Sequence, residues 1–144
     1  LMNISFEFNL FTLLNELGDF NVTIKDHPKG VRRNNDILMR QFKNLNIAKI
    51  QTMQNILLSD VDLFITRNAD STAFNEIVAS RKPMIYINDA SEMLTREAKQ
   101  ALSNRVAFVD CHYENGLAVI NREQLKQALT RRYVMDYSFC NLYQ

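Results

Sequence analysis

One stretch, residues 61–89 (VDLFITRNADSTAFNEIVASRKPMIYIND), limits most strongly what this chain can become. Two apolar runs, VDLFIT and PMIYI, bracket a segment with helical spacing. Near-continuous apolar runs belong to strands covered on both faces, and parallel neighbours need a crossover, usually a helix, to join them. The pattern predicts a buried strand at 61–66, a polar turn, a short helix from about Ser71 and a second buried strand at 83–87. The turn is where chemistry is expected. Asp70, Ser71 and Thr72 stand where a strand's carboxyl end passes into a helix N-terminus, the edge at which open α/β sheets collect ligands. Unpaired helix N–H groups there favour an anion, so the turn is expected to hold a phosphate.

Composition narrows the classes. The 144 residues suit about one domain. A hydrophobic content of 47% with 23% charged residues is that of a globular chain with a core. Seventeen basic against sixteen acidic residues leave a formal charge of +1, without the cationic excess of a nucleic-acid-binding domain. The longest apolar runs, such as LFTLL, are too short to span a bilayer, and the first residues show no signal-peptide pattern. Cys111 and Cys140 lack metal-ligand spacing and read as two free thiols in a reducing cytoplasm. With three glycines the chain has neither G-x-G-x-x-G nor a G-x-x-x-x-G-K-[ST] loop. A phosphate must then be held by helix N-termini, hydroxyls and cationic side chains.

Along the chain, residues 2–17 fit both a strand alternation and helical spacing. Their length and Gly18 favour a helix from about Ser5, capped by that glycine. A helix is an unusual opening for an α/β domain and Leu1 is not an initiator, so we expect a chain that begins inside a longer protein and lacks a first strand. A short strand at 21–25 runs into the loop DHPKG. An amphipathic helix follows at 34–44, with Ile37, Leu38, Phe42 and Leu45 as its apolar positions, then a weak strand at 47–50 and a short helix at 53–58. After Asp89 a helix is expected with Ser91 as N-cap and Glu92, Leu94 and Ala98 in its body. A buried strand at 106–110 and a helix opened by Asn121, with Leu125, Ala128 and Leu129 on its apolar face, complete the set. No repeat or linker is visible, so residues 1–144 read as a single nucleotide-binding α/β domain, a Rossmann-like parallel sheet flanked by helices.

Several side chains are candidates for the site, each with a plainer alternative. His27 follows a strand at the carboxyl edge, and Pro28 restricts it towards extended backbone that can aim the imidazole across that edge. An imidazole donates to phosphate and, when protonated, adds charge; the plainer role is to satisfy a turn. Lys29 adds a cation and Gly30 permits close approach. Ser71 and Thr72 can be simple capping residues, yet capping leaves the N–H groups of Thr72 and Ala73 open to an anion. Glu76, one turn on from Thr72, can accept from ribose hydroxyls or be a solvated helix residue. Arg67 stands at the functional edge as a phosphate partner. Arg81 and Lys82, at the far end of the helix, complement its dipole. Asp60 and Asp62 flank a strand's amino end and make no catalytic pair. His112 reads as an exposed loop residue, and Asp136 and Ser138 have no assigned place. Phe6, Phe8, Phe11, Phe64 and Phe74 read as core.

The strand entering a His-Pro loop (VTIKDHPKG) and the later LFITRNADSTAFNEIVASRKPMIYI together resemble the C-terminal, nucleotide-binding half of GT-B-fold transferases that build bacterial surface polymers. The group meant is that of capsule polysialyltransferases, CDP-glycerol glycerophosphotransferases and related capsule and lipopolysaccharide enzymes. The likeness covers about residues 22–110 and rests on those two motifs, with Ser71 and Thr72 as the hydroxyl pair, Glu76 as the acidic residue and Lys82–Pro83 as the basic-Pro step. Thr72 stands where serine is commoner. The resemblance implies that His27, Lys29, Arg67, Ser71 and Thr72 contact the donor phosphates, with Glu76 near the nucleoside. It implies a CMP-, CDP- or UDP-linked sugar, or CDP-glycerol, as donor; no separate cofactor is expected, and no metal, because helix N-termini and His27 can serve and the sequence offers no carboxylate cluster. The acceptor site and catalytic base of such an enzyme lie in an N-terminal half, so this chain alone is not expected to be active. Nucleic acid is not an expected partner, and the expected location is the cytoplasm, with the full-length protein associating peripherally with the membrane's inner face. The alternatives are a non-catalytic nucleotide- or phosphate-binding module and a nucleotide-sugar epimerase-type domain.

Overall fold

The computed structural model describes residues 2–25, 35–48, 55, 61–69, 71–80, 82–89 and 94–134. In chain order the elements are α1 (Met2–Leu17), β1 (Val22–Lys25), α2 (Asn35–Gln41), β2 (Leu45–Ala48), β3 (Phe64–Thr66), α3 (Thr72–Ala79), β4 (Met84–Asn88), α4 (Arg96–Leu102), β5 (Val106–Glu114), β6 (Leu117–Ile120) and α5 (Arg122–Thr130). The chain is α/β, with parallel-rich sheets and helices between the strands, in keeping with a Rossmann-like arrangement. One sheet is the parallel pair β1-β2; the other runs β3-β4-β5-β6, with β3-β4 and β4-β5 parallel. The chain divides into two compact units, Leu1–Thr52 with Tyr113–Val119, and Met53–His112 with Ile120–Gln144.

In the first unit, α1 buries Phe6, Leu10, Phe11, Leu13 and Leu14, a stripe at helical spacing. The helix begins at Met2, earlier than Ser5, so helical spacing wins over alternation throughout. Phe8 is 44% exposed and is not core, although its ring meets Phe42 edge-on at 5.4 Å. Gly18 closes the helix through its N–H to the Leu14 carbonyl at 3.3 Å. A Cβ there would stand 3.0 Å from the Phe20 ring, closer than ordinary contact. Helix α2 stops at Gln41, short of residue 44, because the chain turns at once into β2, with Leu45 N–H on the Phe42 carbonyl at 3.3 Å. Leu38, Phe42 and Leu45 are buried as expected, but Ile37 is 54% exposed. Strand β2 therefore starts at Leu45, two residues before the weak strand read at 47–50, and pairs Val22 with Leu45 through Lys25 with Ala48.

In the second unit, β4 is an inner strand, and its Met84, Ile85, Tyr86 and Ile87 are all buried. That explains the unbroken apolar run: a strand covered on both faces has no polar side to show. Met84 and Tyr86 share one core with Phe74, Ile77 and Val78 of α3, Leu94, Ala98 and Leu102 of the α4 segment, and Val106 of β5. Tyr86 sits between Phe74 and Phe108 in edge-to-face contacts at 5.9 and 6.0 Å. Strand β3 is shorter than the expected 61–66 and only half-buried; among the described residues it ends the sheet order and pairs with β4 alone.

Arg105 is 1% exposed. Its guanidinium donates to the carbonyls of Ile77 and Ser80 at 3.0 Å, of Lys82 at 3.2 Å, and of Val78. The Ile77 carbonyl also accepts from Ser80 N–H at 3.0 Å and from Ser80 Oγ at 2.6 Å, so the guanidinium adds to the cap at the end of α3 and ties in the loop into β4. A cation there also meets the negative end of the helix dipole. Helix α4 is capped by Thr95, whose Oγ1 accepts from Ala98 N–H at 3.2 Å; Leu94 precedes the helix, and Ser91 and Glu92 lie outside the described residues. Strand β5 runs on to Glu114, past the expected end at 110, and turns through Asn115–Gly116 into β6. Asn121 caps α5 as expected, accepting from Gln124 N–H at 2.9 Å, with Leu125 and Ala128 buried and Leu129 half-buried. Of residues 53–58 only Asn55 is described, and it is helical.

Candidate functional site

The turn between β3 and α3 is built by a chain of short-range hydrogen bonds. Thr66, the last residue of β3, offers Oγ1 to the N–H of Asn68 at 3.5 Å. The Asn68 carbonyl then accepts from the Ser71 hydroxyl at 3.2 Å. Ser71 has extended backbone, φ −135° and ψ 146°, and its Oγ accepts from Phe74 N–H at 3.1 Å. This is an N-cap in full, with the hydroxyl used once as donor and once as acceptor. Ser71 thus shapes the turn, and its proton is already committed.

What the cap leaves over is more useful. Thr72 and Ala73 occupy the first two helical positions, where backbone N–H groups have no intrahelical acceptor. Thr72 is exposed, and the first turn of α3 carries no acidic residue. A positive helix end with open donors and no nearby carboxylate in its own first turn suits an anion. Arg67 follows β3 directly and is half-buried, and Glu76 is half-buried one turn beyond Thr72. One strand-turn-helix connection therefore carries Arg67, Ser71, Thr72 and Glu76. His27, Lys29 and Asp70 lie outside the described residues, as do Pro28, Gly30, Asp60, Arg81, Asp136, Ser138 and Cys140.

The carboxyl edge of this sheet holds two further polar positions that the sequence reading passed over. Asn88, the last residue of β4, pairs in register with Asp110 of β5. The signal was present: each is the first polar residue after a run of apolar ones, PMIYI-ND and VAFV-D. Asp110 is tied down, its carboxylate accepting from Gln124 Nε2 at 3.1 Å and its N–H donating to Gln124 Oε1 at 2.7 Å. His112 is exposed, as expected, but lies within β5 and not in a loop after it. Lys82 belongs to the opposite end of α3, where its carbonyl accepts from Arg105. Among the described residues no group of three or more His, Cys, Asp or Glu is placed to hold a metal, and no helix is long and apolar enough to cross a membrane. A small cavity of about 10 Å³ lies elsewhere, in the first unit, lined by Phe11, Leu14, Val22, Phe42 and Leu45 with Asn15 and Asn44, and has room for one water at most. No family model, curated protein or solved structure matches the chain.

Proposed function

We propose that the β3–α3 turn binds the phosphate of a nucleotide-activated donor, and that the chain is the donor-binding part of a transferase of bacterial surface polysaccharide or teichoic acid. One observation carries the reading: Ser71 completes the cap with its own hydroxyl and so leaves the amides of Thr72 and Ala73 for a ligand. The turn also stands at the carboxyl end of a strand in a parallel sheet, where nucleotide phosphates are bound in α/β folds.

In this reading the Thr72 hydroxyl and the two amides hold the phosphate nearest the transferred group, with Arg67 as counter-charge. The motif likeness adds His27 and Lys29 as phosphate contacts, both outside the described residues, and Glu76 as the acceptor from the nucleoside. The transfer is a displacement at the sugar's anomeric carbon, or at phosphorus if the donor is CDP-glycerol. Charge builds on the departing nucleotide phosphate, and donors fixed in advance at that position lower the barrier. The acceptor and its general base come from another domain.

Calorimetry with CMP, CDP and UDP tests it. At least one should bind, and His27→Ala should weaken it about tenfold or more, the worth of a charge-assisted hydrogen bond. Absence of binding by all three, or binding unchanged in both His27→Ala and Thr72→Ala, removes the site.

A further inference from the structure

The hairpin turn between β5 and β6 carries chemistry that nucleotide binding does not use. Its two residues, Asn115 and Gly116, both have left-handed backbone, φ 52° and 78°, and both are exposed. A side chain added at Gly116 would meet nothing within 4 Å, so the turn stands in open space on that side. Among the described residues nothing holds the Asn115 side-chain amide in a hydrogen bond. Asn121 makes a useful contrast. Its side-chain oxygen accepts from Gln124 N–H at 2.9 Å as the cap of α5, and an arginine follows it instead of a glycine.

We propose that Asn115 is a site of self-modification, in which the backbone nitrogen of Gly116 attacks the Asn115 side-chain carbonyl carbon. The N–Cγ bond forms, the Cγ–Nδ2 bond breaks, and the side-chain nitrogen leaves as ammonia with the proton that the Gly116 nitrogen gives up. The product is a five-membered cyclic imide. Water then opens the ring at either carbonyl. Opening at Cγ gives aspartate, and opening at the main-chain carbonyl gives isoaspartate, whose peptide bond runs through the former side chain. No oxidant or reductant takes part. The attack needs Asn115 to leave its turn conformation, and an exposed two-residue tip is among the segments that open most readily.

The two products differ in consequence. Asp-Gly supports the same primed turn as Asn-Gly, so the aspartate form keeps the hairpin and adds a negative charge next to exposed Glu114. Isoaspartate lengthens the main chain by one methylene, and a two-residue turn no longer joins the strands in register. Ala118 lies just beyond, and its N–H donates to the Ser5 hydroxyl of α1 at 2.8 Å. The isoaspartate form therefore loosens the tie between the hairpin tip and the first helix, and the aspartate form keeps it.

The test is to hold the folded chain at mildly alkaline pH, digest it with trypsin and follow the peptide of residues 106–122, which contains both asparagines. Isoaspartate is scored with an isoaspartyl methyltransferase, alongside the same peptide made synthetically. The expected result is conversion at Asn115 several times faster than at Asn121, accelerating as pH rises, with the isoaspartate signal lost in Asn115→Gln. If Asn115 in the folded chain stays intact while the synthetic peptide converts, the turn protects the residue and the proposal is wrong.

Discussion

Arg105 shows how much one side chain can fix. Four carbonyls from the end of α3 and the loop into β4 converge on its guanidinium, so a helix end and the loop that follows it share one donor group. Arg105→Met should lower stability by about 3 kcal/mol, because buried acceptors are left without donors. Arg105→Lys should lose less, keeping the charge but not the planar fork. Urea unfolding with an unchanged slope would check both, and a midpoint equal to wild type would contradict them. Ser71 and Thr72 make an instructive pair at the same scale. Ser71→Ala should cost about 1 kcal/mol as a lost N-cap. Thr72→Ala, at an exposed position, should leave stability within about 0.5 kcal/mol. Under the phosphate reading it should still weaken nucleotide binding by about 1 kcal/mol, a factor of roughly five. Stability and affinity thus separate between neighbouring residues, and a Thr72→Ala variant that binds as wild type would contradict the role given to its hydroxyl.

Among the elements, α5 ends at Thr130, and Tyr133 just beyond it donates its hydroxyl to the Ala128 carbonyl at 2.5 Å. The ring lies under the Arg131 guanidinium, 4.7 Å from its centroid. Burial pushes the phenol above its ordinary 10.0, against a smaller lowering by Arg131. A group whose folded value is raised contributes its full stabilisation below the unfolded value and loses it as pH rises through the folded one. Stability should therefore be level in Tyr133 up to about pH 10 and fall above it, and Tyr133→Phe should flatten that alkaline limb in thermal melts. At the hairpin, Gly116→Ala should cost about 1–2 kcal/mol, because its left-handed backbone resists any Cβ even with open space around it.

These elements differ in how far the sequence alone disclosed them. β4 and α3 were legible because a doubly covered strand has an unbroken apolar run and Ser71 marks its helix by cap chemistry. The β5–β6 hairpin was missed although Asn115–Gly116 is the strongest short turn signal there is, because the apolar run of 106–110 drew attention away from the weaker alternation after it. Arg105 was invisible for a physical reason: its value lies in carbonyls more than twenty residues away, and no local pattern records that. The end of α2 was misjudged because Phe42 and Leu45 continue the helical spacing while belonging to the turn and to β2.

For the molecule as a whole, the α/β class follows from residues that must be covered on both sides, and Met84 to Ile87 make that demand most plainly. Function is narrower, resting on the end of one strand and the start of one helix. One of the two motifs that suggest a donor-binding half passes through the same turn, so the turn is where the reading stands or falls. The most direct measurement follows the backbone amide resonances of Thr72 and Ala73 by NMR during titration with CMP, CDP and UDP. The reading predicts saturable shifts of both amides with at least one nucleotide, reduced in Thr72→Ala at Ala73 and in His27→Ala at both. Amides that do not move at saturating nucleotide, or that move only alongside general surface shifts, would contradict it.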